Sequence, residues 1–591
     1  MNDPLTPPRK PAGPTAGPTQ GPSSDSAAGA ADLPGRPAAF RAGLLGFLVG
    51  AVCLVLLARH LHYFVDDAFI TFRYSRNWAE WGLPVFNSFE LKEGVERAEG
   101  YSNLLWMGLL SLLHRFGADL ETITPPLQML VGVLTVGLVA RAGVRQLRLG
   151  ALGAFMAPVL LATAAPFAAW ATGGMETGLF TLLLAGFFLS ALRPSGDSRG
   201  LQLGLLGGLV ALVRVEGIAW VLGTLGAVLV AECLAGRGLT RVLAEKRRLV
   251  LGVAIAIALL GVQLSYRKVV YGDWVSNTVT AKTGGTGSDF YGRGLRQVAS
   301  WGLVTLTPIF ALLALPPALM HPSKSTRCAA LAAFLTALGF VFYNVVTGGD
   351  WMPYFRFLAP VAPMLALLIA AGLDRIPKAA AIAAGAVVLA VQPLTLFEQH
   401  VAPLSVREAL RFRSFKGGYR SELERINTAR VNAEYFGQLG AALAIGTEPG
   451  DVLAFGAIGS PGWYAPGLDF LDRNGLVTPI VAQREVALGE GTAGHEKRVP
   501  HAFFLDQGEP QPKWLFAKLL DALIDGPTSP FYAEALRQIR QDGVVGRKPE
   551  RELFQRTTLH LVPIREGTAA GKTLALLKRA TPGEARAFWG L

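Results

Sequence analysis

Between residues 43 and 396 the chain repeats one pattern, an apolar run near the length needed to cross a ~30 Å hydrocarbon layer followed by a short polar loop. Runs at 43–58, 125–141, 150–170, 176–192, 201–213, 215–235, 249–266, 300–320, 327–346, 357–372 and 379–396 predict about eleven spans. Lipid offers backbone groups no partners, so such a chain crosses as helices or as a closed barrel, and runs of this length select helices. Composition agrees: apolar residues make up 51%, charged residues 17%, and mean hydropathy is +0.38. The predicted class is a polytopic α-helical membrane protein. The run Leu104–Leu113 is too short to cross and would reverse the parity of every later loop. It reads as a re-entrant or interfacial helix.

The loops fall into two sets. One is short and basic: Arg141, Arg145 and Arg148; Arg193 and Arg199; Arg237, Arg241, Lys246, Arg247 and Arg248; Lys324 and Arg327; Arg375 and Lys378. The positive-inside rule makes these cytoplasmic, and they hold most of the excess behind the net charge of +12, so nucleic acid is not implied as a partner. The alternate loops, TGGMET (172–177), RVEG (214–217), YGDWVSNTVTAKTG (271–284) and TGGDWMPYFR (347–356), then face outward.

Residues 1–38 are rich in Pro, Gly, Ala and Ser without periodicity and predict a disordered cytoplasmic tail. The run after it reads as an uncleaved signal anchor, so the membrane domain is expected over 39–397. From 398 to 591 charges are frequent and short strand-like runs occur at 452–459, 502–506 and 573–579. This predicts an extracytoplasmic soluble α/β domain.

The stretch DDAFITFRYSRNWAEWGLPVFNSFELKEGVERAEGYSN (66–103) places two carboxylates where the first apolar run surfaces. A helix first turn stabilises acids and accounts for one of them; the tandem pair is left over. Neighbours on a helix point about 100° apart, so one of Asp66 and Asp67 faces any given cavity. Arg73 and Asn77 lie near the side of Asp66, and Thr71, Tyr74 and Trp78 near that of Asp67. A carboxylate here can act as a general base on a hydroxyl, a role that contributes ~10²–10⁴-fold in rate. Arg73, Arg76, Arg267, Lys268, Lys282 and Arg356 belong to the same outer set and suit a lipid-borne phosphate. Glu176 opens an apolar helix, Glu216 beside Arg214 reads as an ion pair, and Asp350 follows two glycines. His495 and Glu496 in GHEK lack the second histidine of a zincin helix. No cofactor is indicated, and a divalent metal stays open with no spacing that points to it.

The runs DDAFITFRYSRNWAEWGLPVFN, EGYSNLLW, TGGMETGLF, YGDWVSNTVTAK and GGDWMPYFRFLAP resemble, in this order, the polytopic glycosyltransferases of the GT-C type. Within them the chain is similar to the group containing the mycobacterial terminal β-(1→2) arabinofuranosyltransferase of arabinogalactan and lipoarabinomannan synthesis. The resemblance implies inverting transfer of a sugar (arabinofuranose or a related pentose or hexose) from a polyprenyl-phosphate donor to a cell-envelope polysaccharide or glycolipid. The reaction would take place on the outer face of a bacterial cytoplasmic membrane. It implies Asp66 or Asp67 as the base and Lys282 and Arg356 at the donor phosphate. Arg73, Asn277, Asp350, Glu99, Tyr101 and Glu176 are further expected substrate contacts. The stretch after Phe86 is longer than the family pattern. Two other functions stay open: a flippase for lipid-linked saccharides, and an enzyme acting on a protein or lipid-A-type acceptor. A flippase would carry its charges at mid-depth within spans, whereas here they gather at one face.

Overall fold

The computed structural model describes residues 36–193, 199–236, 249–287, 289–411, 419–489, 492–542, 544–545 and 548–590. The expected disordered tail, up to residue 35, and the basic loop 237–248 lie outside the described residues. The first helix, Arg36–Leu61, begins inside the stretch assigned to the tail.

The chain is a multi-pass membrane protein. Among the described residues seven helices are long and apolar enough to cross: Pro37–Leu61, Leu120–Arg145, Gly217–Leu234, Val250–Tyr271, Lys324–Val346, Pro353–Leu373 and Lys378–Phe397. The expected span 300–320 is instead two helices, Phe290–Thr305 and Thr307–Leu319, that meet at 78°. The break sits at Leu306, a non-glycine residue with φ 55°, with proline at the start of the second helix. Three further expected spans are the short helices Ala151–Thr163, Thr177–Ala191 and Gly200–Val213. The first of them stops at Ala164, where the backbone turns extended (ψ 113°) ahead of the Pro166 turn. So the eleven expected crossings resolve into seven full-length helices, one bent pair and three short helices. Leu104–Arg115, 12 residues and about 18 Å long, is likewise too short to cross.

Helix packing follows the membrane rule that small residues let backbones approach. A Cβ at Gly46 would lie 2.4 Å from the Phe155 carbonyl oxygen, so only glycine permits that contact between Arg36–Leu61 and Ala151–Thr163. The opposite side of the first helix exposes Leu44, Leu45, Leu48, Val52 and Leu56, as a lipid-facing surface does.

After Phe397 the chain builds an α/β unit. A long helix, Glu422–Gly446, opens with a capping box in which Ser421 and Glu424 exchange hydrogen bonds. A five-stranded sheet follows in the spatial order Asp469–Asp472, Val452–Phe455, Trp514–Leu520, Lys572–Arg579, Thr557–Ile564. The first three strands are parallel and the last two join as an antiparallel hairpin. Two of the three strand-like runs form strands. The third, 502–506, is a 3₁₀ turn over His501–Leu505 that drops Phe504 and Leu505 into the core, since so short an apolar run carries no period of its own.

The seam between bundle and sheet unit is the helix Asp66–Trp81. It carries both acids in its first turn and ends at Gly82 in the left-handed conformation (φ 75°). Ala68 to Ser75 are all buried, because one side meets Leu104–Arg115 and the other meets Gly459–Tyr464 of the sheet unit.

Candidate active site

A cavity of about 510 Å³ opens where the helical bundle meets the sheet unit. Asp67, Ile70 and Thr71 of the seam helix form one wall. Asp66 points away. Its carboxylate accepts the backbone N–H groups of Gly459 (3.2 Å) and Ser460 (2.8 Å), and Gly459 is held so close that a Cβ there would sit 2.0 Å from the Asp66 carbonyl oxygen. Burial pushes the Asp66 carboxyl up to about 6 against these hydrogen bonds. Asp67 makes no hydrogen bond or ion pair with any described residue while facing the cavity. Of the tandem pair, one carboxylate is a structural clamp and the other is free for chemistry.

Two cations reach the same space. Lys282 ends the short helix Asn277–Lys282, and its ammonium has no hydrogen-bond or ion-pair partner among the described residues. Burial lowers its pKa from the usual lysine range, the nearby Asp67 charge opposes that, and Arg356 adds to it. Arg356 is set by a kink: Tyr354 and Phe355 both adopt positive φ (48° and 51°), costly for aromatic residues. The kink is fastened by Glu422, which accepts the Tyr354 N–H at 2.6 Å, and by the Tyr354 hydroxyl on the Thr395 carbonyl. Arg356 then pairs with Asp350 through Nε (2.9 Å) and Nη2 (3.4 Å), leaving Nη1 unengaged. Asp350 therefore orients Arg356 rather than standing free.

A third wall is acidic. Glu176 and Glu216 share Arg214, with contacts of 2.7 Å each, and the Tyr343 hydroxyl donates to Glu216 at 3.0 Å. The ion pair of Arg214 with Glu216 was legible in RVEG; its convergence with Glu176 on a cavity was not. Tyr101 also lines the space, its hydroxyl 3.1 Å from that of Tyr271.

Three expected substrate contacts lie off the cavity. Arg73 is fully buried in the seam and donates to the carbonyls of Phe86 (2.8 Å), Gly462 (2.7 Å) and Leu468 (2.8 Å), with Asp469 at 3.8 Å. With no exposed surface and its fork turned to protein carbonyls, it lies out of reach of a phosphate in the cavity. Glu99 holds Arg267 in a two-point ion pair, and burial raises its carboxyl despite that partner. Asn277 donates to the carbonyls of Gly475 and Leu476, both at 2.7 Å. All three tie segments beside the cavity to one another or to the sheet unit.

The remaining wall comes from the sheet unit, which sequence reasoning left without a role. Leu476, Leu488, Ala493 and Gly494 line the cavity. Residues Gly285–Thr286, just past Lys282, pair in parallel with Ala487–Leu488. The tetrapeptide Gly494–Lys497 then grips three loops at once. Gly494 sits against the Lys282 stem, and the His495 ring packs edge-on against Trp351 at 5.3 Å. Glu496 pairs with Arg293 (2.8 Å), which itself donates to the Gly348 carbonyl. Lys497 donates to Thr280 (2.8 Å) and Ala482 (2.6 Å). Burial lowers the His495 pKa, Asp67 opposes the shift and Lys282 reinforces it. The unusual GHEK motif was visible in the sequence, but Lys282, Arg293, Thr280 and Trp351, which it meets, are more than 100 residues away. Among the described residues no three His, Cys, Asp or Glu side chains converge as metal ligands do.

No family model matches the chain, and no curated protein matches its sequence. Its fold is similar to two solved structures of ArnT from Cupriavidus metallidurans. One is bound to undecaprenyl phosphate, with a TM-score of 0.51 at 16% identity. The other is the apo state, with a TM-score of 0.51 at 15% identity. Each covers 90% of this chain and 97% of that chain. The likeness is one of fold: a polytopic helical bundle followed by a C-terminal sheet unit.

Proposed function

We propose that the chain is an inverting glycosyltransferase that takes a sugar from a polyprenyl-phosphate donor and passes it to a cell-envelope polysaccharide or glycolipid. The observation that carries this reading is the pair of unpartnered opposite charges, Asp67 and Lys282, facing one cavity at the edge of a membrane bundle. Charges held at a half-buried surface without a hydrogen-bond partner are costly, and a ligand that takes up both accounts for them. The similar fold of ArnT bound to undecaprenyl phosphate supports a lipid-phosphate ligand.

In this mechanism Asp67 takes the proton of an acceptor hydroxyl as its oxygen attacks the anomeric carbon. The bond from that carbon to the phosphate oxygen breaks on the opposite face, inverting the centre. Polyprenyl phosphate leaves with the electron pair, and Lys282 with the free Nη1 of Arg356 meets its growing charge. The basic character of the loops on the other side supports a reaction at the outer face of the cytoplasmic membrane. Arabinofuranose, or a related pentose or hexose, is the sugar that the sequence resemblance favours.

The test uses full-length protein in detergent with a panel of polyprenyl-phosphate sugars, following release of polyprenyl phosphate. Sugar transfer that disappears in Asp67→Asn, with folding retained, supports the reading. Unchanged transfer in that variant removes the proposed base.

A further inference from the structure

The acidic wall holds one polar atom that no part of the mechanism uses. Asn103 is 2% exposed and lines the cavity, yet its Oδ1 has no hydrogen-bond partner. The orientation of its amide is fixed by its other end: Nδ2 donates to Glu176 Oε2 at 3.0 Å and to Thr71 Oγ1 at 3.2 Å. Turning the amide over would set an oxygen against the Glu176 carboxylate, so Oδ1 stays the buried, unsatisfied acceptor of this wall. Glu176 is itself locked by Arg214 at 2.7 Å. Thr71 lines the same wall and accepts from Asn103, which leaves its own proton without an acceptor among the described residues.

We infer that Asn103 Oδ1 and the Thr71 hydroxyl form a subsite for a hydroxyl of the transferred sugar, an inference that rests on the sugar-transfer reading above. A sugar hydroxyl both donates and accepts. It gives its proton to Asn103 Oδ1 and receives that of Thr71, satisfying both groups. An ionised phosphate only accepts, so Asn103 Oδ1 and the adjacent Glu176 repel it from this wall. The cavity is thereby polarised: acceptors at Asn103 and Glu176 for the sugar, cations at Lys282 and Arg356 for the phosphate. A buried acceptor left empty is destabilised, and the incoming hydroxyl relieves that cost only when the donor carries its sugar.

The test measures affinities of full-length protein for bare polyprenyl phosphate and for polyprenyl-phosphate arabinofuranose and hexose donors. Wild type is expected to bind a sugar-bearing donor more tightly than the bare phosphate. Asn103→Leu should lower affinity for that donor about tenfold and leave bare polyprenyl phosphate within about twofold. Thr71→Val, which removes one hydroxyl without changing shape, should act several-fold in the same direction. It carries the test by itself if Asn103→Leu does not fold. A ratio between the two ligands that neither variant moves overturns the subsite while leaving sugar transfer standing. Wild type that binds neither ligand overturns the sugar-transfer reading, and the subsite with it.

Discussion

Asp66 and Asp67 are consecutive in the chain and opposite in use: Asp66 accepts two backbone N–H groups from Gly459 and Ser460, and Asp67 faces the cavity with no hydrogen-bond or ion-pair partner among the described residues. The 100° step of a helix is what separates them. On the Asp66 side, Arg73 continues the clamp to the sheet unit; on the Asp67 side, Ile70 and Thr71 continue the cavity wall. One helix therefore assembles the two parts of the molecule and presents the candidate base between them.

Asparagine at each position should separate these jobs. Asp67→Asn is expected to abolish transfer, a loss of ~10²–10⁴-fold, with an unchanged melting curve. Asp66→Asn is expected to retain measurable transfer and to change stability with pH. The folded carboxyl titrates at about 6, above its ordinary value of 3.8, so the folded state holds the proton more tightly than the unfolded chain. Its stabilising contribution is complete below about pH 4 and is lost as pH rises through about 6. Thermal melting of wild type against Asp66→Asn across this window checks the sign: the variant should lack that decline.

Lys282 offers a second, independent pH signature. Its ammonium is the charge proposed to hold the donor phosphate, and its pKa lies below the usual lysine range because the site is buried. Raising the pH should neutralise it early and weaken binding of polyprenyl phosphate on the alkaline side. Lys282→Arg should remove that alkaline decline, since guanidinium keeps its charge. Lys282→Met should weaken binding at neutral pH by roughly tenfold or more, the worth of a hydrogen bond to a charged group. Binding titrations at several pH values distinguish the three proteins.

Much of this site could be read from the chain, and what could not has a physical reason. The apolar runs and the placement of charged loops were local signals, so the membrane class, the α/β unit and the candidates Asp67, Lys282 and Arg356, which line one cavity, were legible. Exact crossings were not: one expected span bends by 78° at Leu306, and Pro308, the local signal for a break there, is a residue that membrane helices also tolerate. Arg73 was expected at the substrate because a cation near a membrane face looks the same in sequence whether it meets phosphate or the carbonyl of Gly462, 389 residues on. The same distance hid Gly494–Lys497, whose contacts with Lys282, Arg293 and Thr280 exist only once the sheet unit has docked.

That docking predicts a particular kinetic split. Glu496 and Lys497 touch no part of the proposed substrate, but they hold the loops that carry Lys282 and Arg356. Glu496→Gln should raise KM for the donor several-fold while leaving kcat nearly unchanged, because Asp67 and its helix are untouched. Lys497→Met removes a donor from two carbonyls, at about 1–3 kcal/mol per unpaired buried group, and should raise KM similarly. Lys497→Arg should restore it. Steady-state kinetics over donor concentration test this; equal losses in kcat and kcat/KM would mean these residues act on the chemical step instead.

Arg73 should behave unlike either cation of the cavity. Removing it leaves the Phe86, Gly462 and Leu468 carbonyls buried without a donor, each at a cost of about 1–3 kcal/mol. It also strips a cation from the Phe86 ring, 4.5 Å from the guanidinium, and from Asp469. Arg73→Ala is therefore expected to loosen the seam: lower melting temperature and faster proteolysis between the bundle and the sheet unit. The protein that remains folded should bind polyprenyl phosphate as wild type does. Arg73→Lys should rescue only part of the stability, because one ammonium cannot span three carbonyls that a planar fork reaches. A large loss of phosphate affinity in folded Arg73→Ala, with an intact seam, would return Arg73 to the donor site.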